Sequence, residues 1–270
     1  MNNGGYKILI VEGDDREINV LNSVVNFFFP QKKVKFISLP AGENIYMLWQ
    51  KLKEDKFETD LIEIVRERIG SNNCLKDIER REVDEIFLFF DFDGQQDNLP
   101  ADVCAATVIK EMLEVFSDET EMGKLYISYP MIEAIRDWDE KCVTVTSCVW
   151  DISNLDEYKH KSAVRESNND IRHYDKLTWK EVIKNFILRT TCLFDLEEIP
   201  SYEFYKENIT PQKIYLKESD KYINFEKVFV LSSIPEFILD YFNHVFWKSW
   251  IKVRKNRNVN NCVLRQRWER

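Results

Sequence analysis

The chain has 270 residues, 44% of them hydrophobic and 13% aromatic, enough for a sizeable core and against a disordered or low-complexity class. The net charge of −9 argues against a protein that coats nucleic acid along its whole surface, and no apolar run reaches the roughly 20 residues that a membrane span needs. Six cysteines without C-x-x-C spacing and three scattered histidines give no recognisable zinc site; they read as free thiols of a reducing compartment, and with no signal-like leader in "MNNGGYK" the expected location is the cytoplasm.

Lys7–Val11 is a short run rich in β-branched residues and predicts a buried strand. Ile18, Leu21, Val24, Val25 and Phe28 then recur at helical spacing, which predicts an amphipathic helix over 15–29, ended by Pro30. "KVKFISL" (33–39) predicts a second strand, residues 44–69 a helix in one or two pieces, and "GSNNC" (70–74) a turn. Ile86–Phe90, apolar at every position, predicts a third strand buried on both faces. Residues 102–116 follow a helical pattern and "KLYIS" (124–128) predicts a fourth strand. Pro130 suits the first turn of a helix reaching Asp137, and "CVTVTSCV" (142–149) is a candidate fifth strand.

This alternation predicts an α/β domain over residues 1–150, a parallel sheet flanked by helices. From 151 to 270 the pattern is mainly helical and predicts a second domain. Its end is basic: residues 248–270 hold eight Lys/Arg against one Glu. Lys248, Lys252, Arg254, Lys255 and Arg257 are candidate contacts to nucleic acid or to a partner. Tyr241, Phe242, Phe246, Trp247 and Trp250, just before them, read as core or a dimer interface, or alternatively as a platform for stacked bases. A solvated chain end is the plain reading of the basic segment. His173 and Lys161 have no local pattern that makes them more than ordinary packed or surface residues.

Two apolar runs, "ILIVEGDD" and "IFLFFDFDG", end abruptly in carboxylates. Sites in open parallel sheets form at the carboxyl ends of strands. Glu12 follows the first strand; Asp91 and Asp93 follow the third. If those strands are neighbours, the three carboxylates share one patch, and alternation sends Asp91 and Asp93 the same way. No Lys or Arg stands in "VEGDD" or "DFDGQQD", so the three repel one another unless a cation sits among them. Oxygen donors of this kind select a hard divalent ion, Mg²⁺ or Mn²⁺. Such an ion activates water and neutralises charge developing on phosphate. Solvated loop acids at strand ends are the alternative.

A strand ending "ILIVEG", a helix, then a buried strand ending "DFD" resembles the Toprim domain of topoisomerases, primases and OLD-type nucleases. The resemblance covers about residues 6–150. It implies that Glu12, Asp91 and Asp93 hold Mg²⁺, with Gly13 as the small residue that lets the loop approach the ion. "KLYISYPMIEAIRD" (124–137) further resembles the strand-to-helix element of Toprim nucleases in bacterial anti-phage systems, the effector nuclease of the PARIS system among them. There Glu133 would add a metal or substrate contact; a first-turn acid favoured by the helix dipole is the competing reading. The family pattern "VEGxxD" is not met: Arg16 stands where it has Asp, with Asp14 and Asp15 before it and Glu17 after it. Asp15 is a possible supplementary ligand or a helix cap. The resemblance implies a toxic nuclease of anti-phage defence, acting on DNA or RNA, beside a separate ATPase and as a homodimer. The chain has no P-loop and no G-x-G-x-x-G of its own.

Three other readings compete. "ILIVEGDD" also looks like the start of a receiver domain, a signalling module, although Asp91 lies far along the chain for the phosphorylated aspartate. "DFDGQ" resembles the nucleophile motif of haloacid-dehalogenase phosphatases, with Gln95 in place of Thr. A catalytically silent Toprim-like scaffold that binds a partner is the third.

Overall fold

In the first strand, β1 (Tyr6–Val11), Ile8, Leu9, Ile10 and Val11 are all buried. A strand reaches that state only with neighbours on both edges and layers on both faces. Both edges are taken, by β2 (Lys35–Pro40) and β3 (Val83–Asp91), each parallel to β1. The sheet runs β2-β1-β3-β5-β4, with β5 (Gly123–Ser128) beside β3 and the two-residue β4 (Ser117–Asp118) antiparallel at the edge. The computed structural model describes residues 5–13, 16–30, 35–41, 44–69, 75–92, 105–138, 148–163 and 170–251. It divides into two units: Met1–Asp91 with Gln96–Tyr126, and Phe92–Gln95 with Ile127–Arg270.

In the first unit, α1 (Arg16–Phe28) joins β1 to β2 and buries Val20, Leu21 and Val24. It is tied to β2 by Ser38 donating to Asn22 Oδ1 (3.1 Å) and by Phe29 on Phe36 (4.6 Å). The helical stretch 44–69 is two helices. α2 (Ile45–Glu54) is capped by Asn44, which accepts the Met47 N–H at 3.1 Å; α3 is Leu61–Ile69. The break falls where Lys56 and Phe57 both take positive φ, turning the Phe57 ring onto Trp49 (5.4 Å). α4 (Ala105–Val115) lies beside α2: Lys53 pairs with Glu111 (2.8 Å) and Trp49 meets Phe116 edge-on (5.8 Å). At the start of β5, Gly123 has φ 105°, and a Cβ there would lie 2.7 Å from Leu88 Cδ1, so only glycine fits without strain.

The second unit is mainly helical: α5 (Leu155–Ala163), α6 (Lys176–Leu193), α7 (Tyr202–Asn208), α8 (Pro211–Lys221), α9 (Ser233–Tyr241) and α10 (His244–Trp250). The longest, α6, buries Trp179, Val182, Ile183, Phe186 and Ile187 and packs against α8 and α9. Its ends and those of its neighbours are set locally, with Asp175, Ser201, Thr210, Ser232 and Asn243 each accepting first-turn N–H groups and Pro211 opening α8.

One sequence expectation needs correction. Pro130 does not open an α-helix: the Tyr129–Pro130 peptide is cis, and the helical turn that follows is a short 3₁₀ stretch, Ile132–Arg136. Tyr129 exchanges backbone hydrogen bonds with Leu231 in both directions, each 2.8 Å, which keeps the chain extended up to the proline. The candidate fifth strand (142–149) falls mostly outside the described residues. Residues 139–147 lie outside the described residues, and β6 (Val149–Asp151) pairs antiparallel with β7 (Lys227–Phe229) in a separate ribbon.

Candidate functional site

The chain leaves β1 for one neighbour, β2, and returns to the other side of β1 to form β3. That reversal makes the gap between the carboxyl ends of β1 and β3 a topological switch point, where open α/β sheets place ligands. The condition set by the sequence, that the first and third strands be neighbours, is met. Val11 pairs with Phe89, so β3 runs on through Phe90 to Asp91 as β1 gives way to Glu12. Glu12 Oε2 accepts the Asp91 N–H in a long hydrogen bond of 3.4 Å between residues 79 apart in sequence. Both residues are half-buried. Parallel pairing alone therefore carries two carboxylate residues to one edge of the sheet.

The loop after β1 folds close to the first turn of α1. A Cβ on Gly13 would lie 2.5 Å from Glu17 Oε2, so Glu17 bends back over the glycine. Because the obstacle is the end of a flexible side chain, a small residue here would displace Glu17 rather than break the loop. Asp14, Asp15 and Asp93 lie outside the described residues. Among the described residues no three His, Cys, Asp or Glu side chains gather as a metal site. The donor chemistry still suits one kind of ion: Glu12 and Asp91 offer carboxylate oxygens alone, the ligands of a hard divalent cation.

Glu133 is 3% exposed in the 3₁₀ stretch of the second unit, where its carbonyl accepts from Ser162 Oγ at 3.4 Å. Of the basic candidates, Lys248 is exposed on α10; Lys252, Arg254, Lys255 and Arg257 lie outside the described residues. Glu203 is held below the usual carboxylate range first by its own backbone N–H and the Ser201 hydroxyl, with Lys248 and His244 adding to the effect. Trp247 is core, 6% exposed against Tyr205 (5.0 Å) and Tyr202 (6.0 Å). Phe242, Phe246 and Trp250 are half-buried and stack on one another at 4.5 and 4.9 Å. His173 and Lys161 have local partners: His173 meets Asp170 (3.3 Å), and Lys161 meets Glu157 (2.6 Å) and the Trp150 ring (4.9 Å).

Glu218 escaped the sequence reading altogether. It is fully buried, and Oε2 accepts the Phe229 N–H at 3.1 Å. Burial pushes its carboxyl well above the usual range, against smaller pulls from Phe229 and Lys221. The signal was present: Pro211, Ile214 and Tyr215 form a buried stripe on α8, and Glu218 continues it at helical spacing.

The chain was compared with protein-family models, with curated proteins and with solved structures, and none of them matches it.

Proposed function

We propose that the protein is a metal-dependent nuclease whose Glu12, Asp91 and Asp93 hold Mg²⁺ or Mn²⁺ at the carboxyl ends of β1 and β3. The observation that supports this best is the convergence of Glu12 and Asp91 across a topological switch point, two acids that nothing but sheet pairing brings together. The bound ion would supply charge neutralisation at the scissile phosphate and a more acidic water. Glu12 would either complete the ligand set or take the proton of the attacking water. The wider setting is part of the same proposal and comes from the Toprim resemblance: a toxic effector of anti-phage defence, dimeric and controlled by a separate ATPase. The basic residues from Lys248 onward would meet the nucleic acid or that partner.

A receiver-like signalling module is the second reading. The strand order β2-β1-β3 is also that of receivers, with an acid after the first strand and an aspartate at the end of the third. Treatment with acetyl phosphate separates the two: a receiver gains a phosphoryl group on Asp91, read by intact mass, and a nuclease does not. The decisive experiment incubates the purified full chain with Mg²⁺ and labelled single- and double-stranded DNA and RNA, beside Glu12→Ala and Asp91→Asn. In parallel, nucleic-acid integrity is followed in cells on induced expression, with and without the neighbouring ATPase. Cleavage that needs the ion and falls by about two orders of magnitude or more in both variants supports the nuclease. Equal behaviour of wild type and variants refutes it.

A further inference from the structure

β2 ends the strand order of the main sheet, and among the described residues no strand lies beyond it. The opposite edge is closed by the two-residue β4, and a very short strand is one way in which proteins blunt an edge; β2 runs for six residues, Lys35–Pro40. The direction of its backbone groups follows from one bond. The Ala41 N–H donates to the Val11 carbonyl at 2.6 Å, and Val11 stands opposite Pro40. In a parallel pair the N–H and C=O of one residue point to the same side, and the side alternates along the strand. Positions 37, 39 and 41 therefore turn these groups toward β1, and positions 36, 38 and 40 turn them away from it. Proline, which brings no N–H, stands at one of the outward positions, where edge strands admit it.

The side chains alternate in the same way. Phe36 packs on Phe29 and Ser38 donates to Asn22, so the even positions face α1. Ile37, half-buried, lies on the other face, where Lys35 reaches over the Tyr6 ring at 4.6 Å. Lys35 is the only charged residue of the strand. This pattern is self-complementary about Ile37. A second β2 laid antiparallel, with Ile37 on a two-fold axis, puts Phe36 opposite Ser38 of the second copy, and the outward N–H and C=O of each meet those of the other. Ile37 meets its own copy across the axis as a non-hydrogen-bonded pair, the closer of the two kinds, with Cα atoms about 4.5 Å apart. Each Lys35 falls opposite position 39 of the other strand, so no like charges face one another. Pro40 falls outside the central exchange. We propose that the β2 edge is a homodimer interface, through which two copies join their sheets antiparallel with Ile37 at the two-fold axis. The inference goes beyond the nuclease reading and does not depend on its metal site; it gives the dimer in that reading a surface.

The test uses the full chain. Sedimentation velocity over a concentration series should show wild type passing from monomer to dimer. Ile37→Cys, a conservative change, should form an interchain disulfide between the two position-37 thiols on mild oxidation with diamide, because the Cα separation of that pair suits the bond. The linked peptide is read by mass spectrometry. Glu114→Cys, an exposed thiol on α4, controls for random collision and should not link in this way. Ile37→Glu and Ile37→Lys put like charges on the axis, and each alone should weaken association about tenfold or more, while an equimolar mixture of the two should recover it. A wild type that stays monomeric at every concentration overturns the inference and leaves the metal reading standing. A dimer that keeps its affinity in both charged variants and yields no position-37 disulfide overturns it as well. Circular dichroism checks the fold of each variant. If the charged variants do not fold, the cysteine pair decides: linkage at position 37 well above that of Glu114→Cys supports the interface, and equal linkage refutes it.

Discussion

Replacing Glu218 by glutamine should remove a pH dependence of stability that the wild-type chain carries. Glu218 sits on the buried stripe of α8 with one oxygen on the Phe229 N–H at 3.1 Å and the other without a hydrogen-bond partner among the described residues. The nearby cation, Lys221, is engaged with Asp195 (2.6 Å) and the Leu193 carbonyl (2.7 Å). Other titratable groups around this corner, Cys192 and Tyr222, are held neutral, because burial raises the Cys192 thiol to about 11 and pushes the Tyr222 phenol up as well. An ionised Glu218 would thus be a poorly compensated buried charge.

The carboxyl is raised from a reference of 4.5. Below that value both folded and unfolded chains hold the proton, and stability is unaffected. Above it the unfolded chain loses the proton while the folded chain keeps it. Stability then falls with rising pH by about 1.4 kcal/mol per unit, until the folded group ionises too. That slope is the ceiling, held for as long as the folded carboxyl keeps its proton. Glutamine keeps the shape and an acceptor for Phe229 and does not titrate. The assay is urea unfolding of both chains at pH 5.5 and 7.5, followed by tryptophan fluorescence. The mutant-minus-wild-type difference isolates Glu218 from every other titrating group. It should move toward the mutant as pH rises, at no more than about 1.4 kcal/mol per unit. A flat difference, or one that favours wild type at high pH, would mean that the folded carboxylate is ionised and paired, and the burial reasoning fails.

Gly123→Ala forces a Cβ toward Leu88 at a φ that L residues avoid, and should cost about 2–3 kcal/mol in the same urea assay. Asp175→Ala removes the side chain that accepts the Thr178 N–H at 2.8 Å and should cost about 1 kcal/mol, with Asp175→Asn restoring most of it. Cys148 is buried and the Cys192 thiol is raised to about 11, so at pH 8 roughly one Cys192 in a thousand is thiolate. Iodoacetamide under native conditions should leave the peptides carrying both residues unmodified by mass spectrometry, and urea should open them to alkylation; rapid native labelling would contradict the burial.

Local pattern made the elements legible. Four adjacent apolar residues in β1 and five in β3 read as strands because burial on two faces requires apolar side chains at consecutive positions. The end of the first helix was legible for the same local reason: Pro30 acts within one turn. The Asp-x-Asp and Glu-Gly endings were visible as residues, and strand-tip acids were a sound place to look. What the letters could not contain was adjacency. Glu12 and Asp91 come together because β1 lies between β2 and β3, a pairing across 79 residues that the hydrophobic pattern of either strand permits equally with other partners. Pro130 was misread for a like reason: its preceding residue is held extended by Leu231, about a hundred positions away, and no local signal announces that bridge. Glu218 stands at the far end of this scale. Its helix opens on Thr210 and Pro211, but its burial and its bond to the Phe229 N–H depend on a strand that follows later in the chain. Periodicity and capping are set by residues within a few positions of each other, whereas burial, ionisation and convergence at a sheet edge depend on which distant segments pack together.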